Sequence, residues 1–268
     1  MLNFRYHALS IVAVFLALAI GLLLGVAIGD RGLVSSAEHD VRASLRERER
    51  YEDAAYPAMV AGRLEGMRLA LIELGGGSDR MWDLTRAALE GSGARLVSVS
   101  VIRRPLDREA LASAAGGTRY ERLVEDPSLV HPFGARLGIQ FATGGELLDR
   151  VRRELLVQGS GALDGADGVV LVRSEPPELD EEEVDLLDAF EDGLVRGLGA
   201  FGAPVVGVEA TDAEPSQVPW FKAHELSSVD DLDDRIGRAA LVFALAGQRG
   251  SFGVKPTADG GRLPPVVQ

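Results

Sequence analysis

Cysteine is absent from this 268-residue chain. Disulfides, thiolate nucleophiles, zinc ribbons and iron-sulfur ligation are excluded together. The compartment stays open, because an oxidising compartment permits disulfides without requiring them. Lysine is nearly absent, Lys222 and Lys255 being the only two. Aromatic residues make up 6% of the chain, too few for the girdles of an outer-membrane barrel, whose ~10-residue strands would also have to alternate apolar and polar faces. The histidines, His7, His39, His131 and His224, are scattered, and Met1, Met59, Met67 and Met81 form no motif. Cu(I) prefers soft thiolate or thioether ligands, so no residue set identifies a metal site. There is no GxSxG elbow, HExxH helix or EF-hand loop, and the sequence therefore points away from an enzyme. Positive charge is in deficit, with 28 basic against 41 acidic residues and a net charge of -13, which argues against nucleic acid as a partner.

What is present begins with an apolar run. Residues 8–29 are 22 consecutive positions without a charged side chain, on the order of 33 Å as a helix against ~30 Å of bilayer hydrocarbon. Asn3, Arg5, Tyr6 and His7 flank it on one side, Asp30 and Arg31 on the other. An uncleaved anchor fits better than a cleaved signal peptide, whose apolar region runs to ~7 to 15 residues, although Gly25/Ala27 and Ala27/Gly29 would suit a cleavage site. A core helix fits less well, because the run has no polar face. Arg5 and the terminal amine favour a cytoplasmic N-terminus, while Arg42, Arg46, Arg48 and Arg50 oppose it. The short leader before the first apolar segment decides for N-inside, with the bulk of the chain outside the membrane. Ala13, Ala17, Gly21, Gly25 and Gly29 recur every fourth residue and include consecutive GxxxG units. That strip lets two helices approach in lipid, although small residues are common in membrane helices generally.

The expected organisation is a transmembrane anchor over 1–30, a charged helical stalk or short coiled coil over 31–64, an α/β domain over 65–250 and a tail over 251–268 that is irregular or packs over the sheet edge. In the stalk, Val34, Ala37, Val41, Ala55 and Ala58 partly fit a heptad, Ser44 and Arg48 interrupt the seam, and Pro57 should end or kink the helix. Beyond it, 68–74, 96–102, 168–172 and 204–208 read as strands, and 81–90, 107–115, 119–130, 145–158, 180–198 and 232–246 as helices. The helix over 119–130 should end near Pro132. Val169-Val170-Leu171-Val172 is apolar on both faces, as a parallel sheet covered by helices on each side requires. The fold class is therefore a three-layer, Rossmann-like or flavodoxin-like α/β domain with a mostly parallel sheet.

One loop could bind a cofactor. Gly75-Gly76-Gly77-Ser78 follows the first strand and precedes a helix, where backbone N–H groups can hold phosphate. It lacks the GxGxxG spacing and the Walker lysine, so a plain βα turn is the competing reading. The acidic run Asp180, Glu181, Glu182, Glu183 and Asp185 follows two prolines and suits the first turn of a helix better than a metal site.

Asn3-Phe4-Arg5-Tyr6-His7, the segment Ser10-Ile11-Val12-Ala13-Val14-Phe15-Leu16-Ala17-Leu18-Ala19 and the stretch 21–25 together resemble the mycobacterial copper transport protein B family. Val229-Asp230-Asp231-Leu232-Asp233, the segment 237–246, Phe252-Gly253-Val254 and Leu263-Pro264-Pro265 are similar to that family's C-terminal pattern. The bias towards arginine, alanine and glycine suits the actinobacterial genomes where the family is found. The resemblance implies an envelope protein of copper homeostasis or copper transport, with copper as a transported ion and no ligand residue assigned. It also implies several copies or a partner, since one helix cannot enclose a pathway for an ion. The alternatives are an envelope scaffold or interaction module without a copper role, and a nucleotide-binding or hydrolytic enzyme using the 75–78 loop.

Overall fold

The computed structural model describes residues 4–161 and 165–265, with side chains placed at all of these except 4–10, 24–40, 157–161 and 201. The chain divides into two units, Met1–Ala54 and Ala55–Gln268.

Helix α1 spans Phe4–Val60. Among the described residues no helix is long and apolar enough to cross a membrane. The described side chains of the apolar run are those of 11–23, about 20 Å of helix. The remainder of the span expected over 8–29 lies outside the described side chains, as do Val34 and Ala37 of the expected seam. Val41 and Leu45, also of the stalk, are exposed. Pro57 does not end α1, which runs on to Val60. Tyr56 and Val60 are buried and Tyr56 Oη donates to Ala88 O at 2.8 Å, and these contacts offset the backbone hydrogen bond that proline removes.

The second unit is built on one seven-stranded sheet of order β3-β2-β1-β4-β5-β6-β7. Its strands are β1 (Arg68–Leu74), β2 (Arg95–Ile102), β3 (Leu156–Gly161), β4 (Gly168–Arg173), β5 (Val205–Val208), β6 (Ser227–Val229) and β7 (Ser251–Phe252). Six run parallel and β3 pairs antiparallel to β2. Successive strand residues feed opposite cores. Ala70, Ile72, Val169 and Leu171 enter one, and Leu69, Leu71, Val170 and Val172 the other. This period of two is what a strand buried on both faces produces, and it makes the domain three-layered as expected.

On the first face pack α3 (Arg108–Ala115), α4 (Val130–Thr143), α5 (Glu146–Glu154), α6 (Glu181–Leu198) and α7 (Val218–Ala223). On the second pack α2 (Asp79–Leu89), α8 (Arg235–Leu245) and the end of α1. The run 180–185 behaves as a helix start. Asp180 caps α6 by accepting from Glu183 N at 2.9 Å, and Glu183 reaches back to Asp180 N, a reciprocal capping box.

Three expectations fail. Residues 119–125 form turns rather than a helix, and Pro132 lies in the first turn of α4 instead of closing an element. Proline is tolerated there because first-turn N–H groups have no intrahelical partner. The helix expected over 145–158 stops at Glu154 and gives way to β3. The helix expected from 232 starts at Arg235, because Asp234 caps it through Ile236 N. The tail after 247, expected to be irregular or to pack over the sheet edge, does contribute β7 at that edge.

Helices α4 and α6 approach at backbone distance. A Cβ at Gly134 would run into Phe190 O, at Gly138 into Leu194 O, at Gly193 into His131 O and at Gly197 into Ala135 O. Each helix carries its glycines four residues apart, so both present them on one face. Phe133 and Phe190 fill the space beside this seam, with ring centroids 6.3 Å apart.

Candidate functional site

In open α/β sheets ligands sit beyond the carboxyl ends of the strands, where the strand order reverses. Here that point lies between β1 and β4. The loop Gly75-Gly76-Gly77-Ser78 stands at it. Ser78 Oγ caps α2 by accepting from Met81 N at 3.3 Å, and Ser78 N donates to Glu73 Oε2 at 3.0 Å. Trp82 Nε1 donates to the same oxygen at 3.2 Å. Glu73 is buried, and burial lifts its carboxyl above the usual range against the pull of those donors. A Cβ on Gly75 would lie 2.8 Å from Ser174 Oγ, so the loop is closed onto the end of β4. A phosphate arriving here would meet a carboxylate already served by the loop's own N–H.

Beside the loop, the switch point is filled by buried charge. The Glu191 carboxylate, on α6, accepts from Arg104 Nη2 and from Arg173 Nε, the latter at 3.1 Å. Arg104 Nη1 also donates to Ser174 O at 2.5 Å, and Arg173 lies 4.7 Å from the Trp220 ring centroid and donates to Gln217 Oε1. Gln217 joins this group to a second. Its Nε2 donates to Glu175 at 3.0 Å, and its backbone N donates to Glu209 at 2.5 Å. Glu209 also accepts from Lys255 Nζ at 2.7 Å and Ser216 Oγ at 2.8 Å. Burial lowers the Arg104 guanidinium from its ordinary value, and Glu191 counteracts this.

A cleft of about 1130 Å³ opens at the other end of the sheet, near the starts of β5 and β6, and is lined among others by Arg63, Asp192, Arg196, His224 and Arg249. At its rim two of the four scattered histidines meet one carboxylate. His131 Nε2 lies 2.9 Å and His224 Nε2 3.8 Å from Asp192. Nothing in the sequence signals this grouping, because the three residues come from α4, α6 and the end of α7. Among the described residues no group of three or more His, Asp or Glu side chains could hold a metal ion. On α1, Ala13, Ala17 and Gly21 are exposed and a Cβ at Gly21 would meet nothing within 4 Å. The side chains at Gly25 and Gly29 lie outside the described residues.

A family model described as "Copper transport outer membrane protein, MctB" matches residues 1–262. The chain belongs to this family. Membership makes it a copper-transport-related envelope protein. No curated protein matches the chain significantly.

The MctB pattern near the C-terminus is explained by packing. Val229 closes β6, and Asp230 accepts from Val254 N at 2.8 Å and Lys255 N at 3.1 Å, holding the tail beside the sheet. Gly253 stands at φ 142° and a Cβ there would run into Asp230 Oδ1, so the Phe252-Gly253-Val254 turn requires glycine. Arg262 bridges Asp231 at 3.2 Å and Asp234 at 2.7 Å, and Leu263 packs on the core beneath.

Asp231 is 1% exposed and its Oδ1 has no hydrogen-bond partner among the described residues. Burial lifts its carboxyl to about 6, against the pull of Arg262. The folded state therefore binds this proton more tightly than the unfolded state. Stability from this group is present below the ordinary carboxyl value of 3.8 and is lost as pH rises through about 6, on the order of 3 kcal/mol in all. Asp231→Asn removes the titration. Its melting temperature relative to the native chain is expected to rise between pH 4 and pH 7, and an offset that stays constant with pH would contradict the shift.

Proposed function

We propose that this protein is a non-catalytic, bitopic envelope protein of copper homeostasis, anchored through α1 with its N-terminus inside and its α/β unit outside the membrane. The observation that carries the anchoring is the exposure of the apolar run on every side of the helix. Phe15 is 69%, Leu16 61% and Leu23 70% exposed, and Ile11, Val14 and Leu18 on other sides are open as well. A helix apolar all round needs a buried or a lipid environment, and leaving each such side chain in water costs about 1.5–3 kcal/mol. Copper enters through family membership.

The sheet is covered by helices on both faces, so this unit offers no lipid-facing wall for a pore. Transport then requires several copies or a partner. Self-association along Ala13, Ala17, Gly21, Gly25 and Gly29 supplies the first route, supported by the open space at Gly21. The closed glycine loop and self-paired switch point favour a role without nucleotide or substrate turnover.

The test is a deletion strain challenged with copper. Copper sensitivity is expected to be cured by the full chain and not by one lacking residues 1–30. The full chain should remain in membranes through a carbonate wash, and Gly21→Ile with Gly25→Ile should reduce its crosslinked dimer without releasing it. A deletion strain as copper-tolerant as its parent would refute the copper role, and release by carbonate would refute the anchor.

A further inference from the structure

A smaller opening lies on the first helical layer, between α3, α6 and the turns that join α3 to α4. Its volume is about 140 Å³, well below the ~300–1,000 Å³ of sites that enclose a cofactor or metabolite. That is room for a single side chain. Leu111, Leu123 and Val130 line it and belong to the core beneath, while Leu186 and Ala189 of α6 are only partly buried there. Among the described residues of the second unit, only Val124, Val184 and Val254 are large hydrophobic residues left exposed. Val124 lines this opening, and Val184 lies in the turn of α6 that borders it. The rim is acidic. Glu182 and Asp185 are part of the lining, and Arg108, the only cation there among the described residues, is engaged by Glu182 at 2.8 Å. The flanking stretches 121–126 and 181–188 carry eight carboxylates against one basic residue, Arg122. The helix dipole accounts for those in the first turn of α6, and its pull fades beyond that turn. It does not account for Asp185 and Asp188 further along, or for Glu121 and Glu125 in the turns, all four of which are exposed.

We infer that this slot is the docking point for a protein partner whose binding segment carries one aliphatic or aromatic side chain between arginines or lysines. The apolar side chain enters the slot and meets Leu111, Leu123 and Val130. The flanking cations meet Asp185, Glu182 and the carboxylates of 121–126. Protein interfaces concentrate their binding energy in anchors of this kind, seated in a desolvated pocket with polar groups at the rim. Charge decides among the occupants. Nucleic acid and anionic headgroups are repelled by the rim, and a small apolar molecule leaves its carboxylates unused. A second copy brings a chain of net charge -13 towards the same acidic surface, so like charges oppose the encounter. A basic segment is drawn in at long range and held by the slot once it arrives.

The surface stands apart from the anchoring and copper-tolerance reading, and its test uses the purified full-length chain in non-ionic detergent. The probes are fluorescein-labelled synthetic peptides with a central leucine, phenylalanine or alanine, flanked on both sides by arginines, serines or glutamates. Fluorescence anisotropy is expected to show saturable binding of leucine or phenylalanine between arginines, at least tenfold tighter than alanine between arginines or leucine between serines, and none with glutamate flanks. Added salt should weaken it. Ala189→Leu fills the slot from within at constant charge and should weaken binding at least tenfold. Asp185→Asn should weaken it severalfold and flatten its salt dependence. Asp83→Asn, on α2 across the sheet and with a side chain 74% exposed, should bind as the native chain does. Absence of saturable binding, equal binding of the leucine and alanine peptides, or binding unchanged in Ala189→Leu would overturn the proposal. If Ala189→Leu instead lowers the sedimenting mass of the peptide-free chain, the occupant is a second copy and the proposal fails as well. Should Ala189→Leu fail to fold by circular dichroism, the peptide comparison on the native chain and Asp185→Asn decide.

Discussion

Gly138→Ala is expected to destabilise the α/β unit by about 3 kcal/mol, the scale of overpacking a core that cannot relax. The added methyl would run into Leu194 O and lie 2.7 Å from Leu198 N, both backbone atoms of the facing helix. Neither can swing aside as a side-chain tip would, so α4 and α6 must separate along the seam that holds Phe133 and Phe190. Alanine's better helix propensity, worth about 1 kcal/mol, acts in the opposite direction and is outweighed. Gly199→Ala is the control, because a Cβ there meets nothing within 4 Å. Trp82 and Trp220 both lie in this unit, so urea unfolding followed by tryptophan fluorescence reads it directly. Equal midpoints for Gly138→Ala and the native chain would show that the helices stand further apart than described.

Glu191→Gln should cost more still. Glu191 is 1% exposed, and its partners Arg104 and Arg173 have side chains 2% and 8% exposed. Removing the shared carboxylate leaves two buried guanidinium groups with no carboxylate paired to either among the described residues, and breaking such a pair costs about 3–5 kcal/mol. Arg104 is the more vulnerable, since its Nε already has no hydrogen-bond partner among the described residues. By contrast Glu182→Gln, which loosens the surface pair of Arg108 with a carboxylate side chain 76% exposed, should change stability by well under 1 kcal/mol. A loss no larger for Glu191 than for Glu182 would mean that water reaches the arginines.

The central strands were legible because Val169-Val170-Leu171-Val172 and the 68–74 run are continuous apolar stretches that only a doubly covered sheet can bury. Strands β6 and β7 were not, being three and two residues long, too short for any period to show. β3 reads Leu-Val-Gln-Gly-Ser-Gly and has the composition of a loop; pairing with β2 makes it a strand. Helix α4 was hidden by its own composition. Pro132, Gly134 and Gly138 lower its intrinsic propensity, and packing against α6 supplies what the local sequence lacks. Its glycines nevertheless carried a signal, for Gly134/Gly138 and Gly193/Gly197 repeat the four-residue spacing noticed in the N-terminal helix. Of the site residues, the 75–78 loop lies where a βα turn was expected, but the Glu73 carboxylate beneath it is invisible in a glycine pattern. The meeting of His131, Asp192 and His224 depends wholly on the α4–α6 contact and on α7, which sequence periodicity did not show.

The paired charges at the switch point also set a competition. An anionic ligand seeking Arg104 and Arg173 would have to displace Glu191, which is tethered, already oriented and never diffuses away. Such a group acts at an effective concentration that no free metabolite in a cell matches. The place where related folds keep an exchangeable ligand is thus occupied by a permanent one, encoded in the chain.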